Sequence, residues 1–245
     1  MSTYKLLALD MDGTLLNEHS EISPQNAEWI RKAIEAGVTV CFSTGRGFPS
    51  ALPYAEQLGL KTPMVTVNGS EVWKEPHVLY KRTLMESDHI RRLHELAVRY
   101  DTWFWAYAVE GLFNKEQWTD RIDGLQWLKF GYYSENDAAR AAVLDGIASI
   151  GEFEVTNSHP HNIELNPKGI SKASGLRNVC GMLGIDMKQV VAVGDSLNDK
   201  AMIQAAGLGV AMGNAQDDVK RIADVTVVSN QEHGVAQVIR EFVLA

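Results

Sequence analysis

Four short stretches of this sequence carry side chains able to do chemistry together: Asp10-Met11-Asp12-Gly13-Thr14, Ser43-Thr44-Gly45, Asn68-Gly69 and Gly194-Asp195-Ser196-Leu197-Asn198-Asp199. Carboxylates spaced like Asp10 with Asp12, and Asp195 with Asp199, suit a nucleophile, a proton carrier or a ligand set for a metal. Crowded into one cleft they would repel one another by on the order of several kcal/mol, so a cation has to hold them together. Mg2+ is the natural one: it is hard, takes oxygen ligands, and keeps waters and phosphate oxygens beside one or two carboxylates. Lys172 adds positive charge from the first turn of a predicted helix, where the helix dipole disfavours a cation. A lysine there makes better sense facing an anion. Thr44 and Asn198 add neutral hydrogen-bond donors, and a helix beginning near Leu197 can aim backbone N–H groups at a phosphate.

These residues need elements to bring them together, and the sequence supplies a consistent set. Lys5–Leu9, Val38–Phe42, Pro63–Val67 and Val190–Val193 are apolar runs of strand length, Val38–Phe42 rich in β-branched residues, each ending in one of the four clusters. Leu208–Met212 and Val225–Val228 read as further short strands. Ser23-Pro24 opens a helix with a good N-cap and a proline at the first helical position, Ala27, Ile30 and Ile34 recur along it, and Gly37 stops it. Another helix covers Pro49–Leu58. Leu176, Val179, Cys180 and Leu183 form an apolar stripe on a helix starting near Ser171. Strands alternating with helices predict an α/β fold, a doubly wound, mostly parallel sheet covered on both faces, with ligands beyond the carboxyl ends of its strands.

The middle of the chain reads differently. Helical stretches over Glu86–Tyr100 and Asn136–Ile150 are mixed with alternating strands such as Thr102–Val109, and Trp103, Trp105, Trp118 and Trp127 all lie here. This predicts an inserted α+β domain over 83–168, with the core formed by 1–82 and 169–245. Trp103, Trp105 and Tyr107 share one face of a predicted strand. Large aromatics usually supply buried area, so packing on the insert's own helices is the simpler expectation, and stacking on a ligand ring the sharper one. Glu164, on the returning strand, is a candidate for reaching substrate hydroxyls.

Taken together, Asp10-Met11-Asp12-Gly13-Thr14-Leu15, Ser43-Thr44-Gly45-Arg46, Lys172 and Gly194-Asp195-Ser196-Leu197-Asn198-Asp199 resemble the four motifs of haloacid dehalogenase-like phosphatases. The insert resembles the large α/β cap of the Cof-type subgroup. The resemblance implies a phosphomonoesterase acting on small phosphorylated metabolites such as sugar phosphates, pyridoxal phosphate or flavin mononucleotide. It makes Asp10 the nucleophile, forming an aspartyl-phosphate, and Asp12 the acid–base. Thr44, Gly45, Lys172 and Asn198 would hold the phosphoryl group. Asp10, the Asp12 carbonyl and Asp195 would bind Mg2+, with Asp199 orienting its water. Glu164 and Trp105 become candidate substrate contacts in the cap. Spacing alone does not say which of Asp10 and Asp12 is the nucleophile, and Arg46 is not counted among the site residues, since it could equally form a salt bridge within the core.

Composition narrows the rest. A chain of 245 residues, 45% hydrophobic and 22% charged with a formal net charge of −8, is globular and a poor binder of nucleic acid, which needs clustered Lys and Arg. With no signal-peptide core and no apolar span, a cytoplasmic protein is expected, with no membrane partner, as a monomer or weak homodimer. Cys41 and Cys180 read as core residues, His159-Pro160-His161 as a loop, and Gly207-Leu208-Gly209 lacks the spacing of a dinucleotide fingerprint. Two rival functions share these motifs. A phosphohexomutase would return the phosphoryl group to a second hydroxyl, and a non-catalytic phosphometabolite binder would have no use for Asp12.

Overall fold

The computed structural model describes residues 3–245. In chain order the elements are β1 (Leu6–Leu9), α1 (Pro24–Glu35), β2 (Thr39–Ser43), α2 (Phe48–Gln57), β3 (Met64–Thr66), β4 (Glu71–Glu75), β5 (Val78–Arg82), α3 (Ser87–Arg99), β6 (Trp103–Ala108), β7 (Gly111–Asn114), β8 (Trp127–Tyr133), α4 (Asp137–Ile150), β9 (Phe153–Thr156) and β10 (Asn162–Pro167). They continue as α5 (Lys172–Leu183), β11 (Val190–Gly194), α6 (Lys200–Ala205), β12 (Leu208–Ala211), α7 (Asp217–Ile222), β13 (Val225–Thr226) and α8 (Gly234–Val238). The chain divides into two compact units, one of residues up to Lys81 together with Ser171–Ala245, the other Arg82–Ile170. No helix among the described residues is long and apolar enough to cross a membrane.

The first unit is built on a sheet of order β13-β12-β11-β1-β2-β3-β4-β5, parallel from β13 to β3 and antiparallel between β3 and β4. Strand β1 is fully buried along its length, as a run flanked by strands on both sides and covered on both faces must be. Leu7, Leu9, Val40, Phe42, Val191 and Val193 join one core cluster with Ile30 and Ala33 of α1. Leu6, Ala8, Cys41, Val190 and Ala192 join another with Leu176, Val179 and Cys180 of α5. Helix α1 starts as its sequence dictates, with the Ser23 side chain accepting from the Asn26 N–H. Leu183, expected on the apolar stripe of α5, lies outside that cluster and is exposed, at the last residue of its helix. The chain winds from β1 through β2 to β3 in one direction and from β11 through β12 to β13 in the other, so β1 and β11 flank the point where strand order reverses. A crevice opens at such a point, beyond the carboxyl ends.

The second unit is an antiparallel sheet of order β7-β6-β8-β10-β9. Ile90, Leu93, Val143 and Ile147 of α3 and α4 pack with Phe104, Ala106, Phe130, Tyr132, Ile163 and Leu165. The expectation that Trp103, Trp105 and Tyr107 pack on these helices is therefore corrected. Phe104, Ala106 and Ala108 take that side, and by alternation the two tryptophans and Tyr107 stand on the opposite face. The bulk on the helix side comes instead from Trp118, which stacks on His94 and Trp127 from a loop. Trp105 lies against Gly131, its cross-strand neighbour, where any larger residue would collide with the indole. On the same face Lys129 Nζ sits 2.8 Å from Glu164 Oε2, both buried, and 6.0 Å and 5.7 Å from the ring centres of Trp105 and Tyr107.

Candidate active site

Strand register does most of the assembly. Leu9 pairs with both Phe42 and Val193, so Asp10, Ser43-Thr44 and Gly194-Asp195 emerge side by side from β1, β2 and β11. The Asp10 N–H continues the ladder to the Val193 carbonyl at 3.0 Å. Helix α5 brings in Lys172 as its first residue. Its N-cap Ser171 forms a reciprocal capping box with Ser174, which fixes the start of the helix and with it the direction of the lysine. Fully buried, the ammonium lies 2.6 Å from Asp10 Oδ1 and 2.6 Å from Asp199 Oδ1.

Asp10, Asp195 and Asp199 each place an oxygen within 4.8 Å of the others. Asp199 spends its second oxygen on the N–H groups of Asp195 and Ser196, at 2.9 and 3.1 Å. The expected anion-binding turn near Leu197 thus has these two donors satisfied by the protein's own carboxylate, and the helix that follows, α6, has only six residues. Asp195 is held by Thr14 Oγ1 at 3.2 Å and Ser196 Oγ at 2.9 Å. Asp10 Oδ2 alone among these oxygens has no hydrogen-bond partner among the described residues. Gly13 (φ +77°) lets the first loop close over this cluster, since a Cβ there would stand 2.5 Å from Asp195 Oδ2.

The electrostatics are unbalanced. Three carboxylates share one ammonium. Burial, followed by the charge of Asp199, pushes the Asp10 carboxyl well above its ordinary value, with Lys172 pulling the other way. Burial and Asp199 push Asp195 up to about 7. Burial alone would lower the Lys172 ammonium, but Asp10 and Asp199 outweigh it and hold it above the usual lysine value. These oxygen donors, together with the buried Oδ1 of Asn198, which has no hydrogen-bond partner among the described residues, fit a hard divalent cation with bound water.

Thr44 is buried, its Oγ1 accepting from the Arg46 N–H at 3.1 Å, with Gly45 between them. Asn198 Nδ2 reaches Asn68 Oδ1 at 3.4 Å. Asn68 is a residue that sequence reasoning noted as a strand break without giving it a role. Val67, Asn68 and Gly69 are successive left-handed residues (φ 50°, 54° and 101°), a conformation strained for a β-branched side chain. Hydrogen bonds from Val67 N to Arg46 O (2.8 Å) and Asn68 N to Thr44 O (2.9 Å) hold it. The signal was the Asn-Gly pair after an apolar run, which marks a tight turn but not its contents. Asp12 does not join the carboxylate cluster through its side chain. Both its oxygens are taken by Arg46, with Nε–Oδ2 2.8 Å and Nη2–Oδ1 2.6 Å. That hydrogen bonding, the largest influence on Arg46, raises the guanidinium above its ordinary value. In the second unit Glu164 has both oxygens engaged, by Lys129 and by Ser158 Oγ (2.9 Å), whereas Trp105 is half-buried.

Comparison with known proteins agrees along the whole length. The profile of the haloacid dehalogenase-like hydrolases matches residues 7–141 and 115–239. The chain is 47% identical over 240 residues to the 5-amino-6-(5-phospho-D-ribitylamino)uracil phosphatase YcsE of Bacillus subtilis, covering 98% of this chain and 96% of that protein. It is 31% identical over 261 residues to YitU of the same organism, a phosphatase of the same name, covering 97% of each. Among solved structures, a haloacid dehalogenase-like hydrolase from B. subtilis superposes with a TM-score of 0.87 at 26% identity, covering 97% of this chain and 99% of that one. Acids gathered at the rim of a parallel sheet, and relatives matched almost end to end, lead to one conclusion: this phosphatase belongs to the family of haloacid dehalogenase-like hydrolases.

Proposed function

We propose that the chain is a Mg2+-dependent phosphomonoesterase that works through an aspartyl-phosphate on Asp10, with 5-amino-6-(5-phospho-D-ribitylamino)uracil as its leading substrate. The observation that carries the mechanism is the state of Asp10. Lys172 fixes one carboxylate oxygen at 2.6 Å while the other is left open at the end of β1. A carboxylate anchored through one oxygen is oriented for attack through the other, and covalent catalysis divides the hydrolysis into two easier displacements.

In the first displacement Asp10 Oδ2 bonds to phosphorus as the ester P–O bond breaks, and Asp12 gives the departing alkoxide a proton. In the second, Asp12 takes a proton from water as it attacks the same phosphorus, and Asp10 leaves. Lys172, Thr44, the Gly45 backbone and Asn198 hold the phosphoryl oxygens and offset their charge. Mg2+, bound by Asp10, the Asp12 carbonyl and Asp195, would supply the charge compensation that the cluster lacks. Asp199 keeps Lys172 and the Asp195–Ser196 turn in place. In the cap, Trp105 and Glu164 are assigned to recognition of the leaving group, Glu164 holding Lys129 beside the indole. The substrate assignment is supported by the 47% identity to a phosphatase of that name.

The test is phosphate release over a panel containing that uracil derivative, flavin mononucleotide, pyridoxal 5′-phosphate and hexose phosphates, with and without Mg2+. The uracil derivative should show the highest kcat/KM, and chelation should abolish turnover. Asp10→Asn should lower kcat by about 10³-fold or more with folding intact. Full activity in that variant ends the mechanism, and a Trp105→Ala variant with unchanged substrate ranking ends the assignment in the cap.

A further inference from the structure

Arg46 has no place in the chemistry above, yet it is the residue to which Asp12 is bound. We infer that Arg46 is the positioning residue for Asp12, a fixed dock that sets the direction of the acid–base carboxylate. The inference rests on the phosphatase reading of Asp12. Its evidence is the way the two side chains are held. The pair is fork to fork, with contacts of 2.8 and 2.6 Å, a geometry that specifies orientation as well as attraction. Asp12 is the loose partner, its side chain 58% exposed against 22% for Arg46.

Arg46 is immobilised from several sides. Its N–H donates to Thr44 Oγ1 at 3.1 Å and its carbonyl accepts from Val67 N at 2.8 Å, so its backbone is tied to the phosphate-side threonine and to the strained turn after β3. The guanidinium lies 5.2 Å from the Tyr54 ring centre, and Nη1 stands 3.5 Å from the Tyr54 hydroxyl, which itself donates to the Ser20 carbonyl at 3.0 Å. An exposed aspartate two residues from the nucleophile samples several rotamers unless something selects one. A rigid fork that takes both oxygens selects it, and error in the placement of a proton donor is expensive in rate.

The experiment compares kcat/KM, which reports the first displacement, for two probes. Glycerol 2-phosphate has an alkoxide leaving group that needs a proton, whereas the p-nitrophenolate of p-nitrophenyl phosphate departs without one. Arg46→Met should lower kcat/KM about tenfold or more for glycerol 2-phosphate and less than about threefold for p-nitrophenyl phosphate, and Arg46→Lys should fall between. Asp12→Ala is the reference and should show the same split, more strongly. Equal losses on both probes in the Arg46 variants, with the split present in Asp12→Ala, would overturn the inference and make Arg46 a phosphate ligand or a structural residue. No split in Asp12→Ala would instead overturn the acid–base reading on which the inference stands. Arg46→Lys keeps the positive charge, so the same comparison of probes is made on it if Arg46→Met does not fold.

Discussion

Each unit buries charge, and the two do it differently. In the second unit a buried lysine meets a buried glutamate, Lys129 against Glu164, so that carboxylate has a cation of its own at 2.8 Å. In the first, Lys172 serves two carboxylates directly while a third, Asp195, stands beside them, and the acidic groups Asp10 and Asp195 are pushed upward in consequence. A pair with its charges matched can be kept for orientation and packing alone. An excess of buried negative charge is a standing cost to the fold, and it makes sense only where something arrives to use it, a cation or a phosphoryl group in transit.

Removing the central cation should give the largest effect. Lys172→Met leaves buried carboxylates without their ammonium, and breaking a buried pair from one side destabilises by about 3–5 kcal/mol. The loss should be greater at pH 8 than at pH 5, because at the lower pH Asp10 and Asp195 take up protons and need the lysine less. Denaturant unfolding at the two pH values measures it. An equal loss at both would mean that the lysine is not there to balance charge. Under the proposed mechanism activity should fall with it, since Asp10 loses its anchor and the phosphoryl group the cation assigned to hold it.

The second unit gives the contrasting result. Lys129→Met also strands a buried carboxylate and should destabilise by about 3–5 kcal/mol, but adding Glu164→Gln should recover part of that, with a coupling of about 0.5–3 kcal/mol in the double-mutant cycle. An additive cycle would mean that the two charges, although 2.8 Å apart, do not work as a pair, and the contrast between the units would collapse.

What the sequence showed of these two regions follows from how each is built. Asp10, Thr44 and Asp195 were legible because each hangs on the end of an apolar run whose strand character is unmistakable, and parallel strands side by side leave their ends little freedom. Lys172 was legible because a cation at a helix start is out of place. The Asp12–Arg46 fork, 34 residues apart in the chain, was not legible, because it depends on side-chain rotamers at the rim and on a strained turn that no propensity favours. Lys129 escaped notice for a related reason: it reaches Glu164 across the β8–β10 register, and register is not visible in either strand alone. The face of Trp105 was misjudged because alternation says which residues lie together but not which side the helices cover. Small residues, Ala106 and Ala108, mark the covered side here.

The smallest of these effects, and the sharpest test of the excess charge, is the dependence of metal binding on pH. Asp195 has an ordinary value near 3.8 and about 7 in the folded chain, and Asp10 is shifted in the same direction. Such raised groups contribute their stability below pH ~4, where folded and unfolded chains are both protonated, and lose it as pH rises to ~7. Without metal the fold should therefore weaken across that window. A divalent cation needs the ionised forms, so it should restore at pH 8 what ionisation removed and do little at pH 5, where it competes with protons. At about 100 times its dissociation constant a ligand stabilises by about 2.7 kcal/mol, which for a chain of this size is a rise in Tm of about 5–10 °C. Thermal melts with Mg2+ or a chelator at the two pH values measure the gain. Asp195→Asn should abolish it and Glu164→Gln should leave it intact, because only the first removes one of the carboxylates whose charge is left unmatched. A gain of the same size at pH 5 and pH 8 would show that the cluster is already ionised without help, and that its three acids coexist by some means other than a cation.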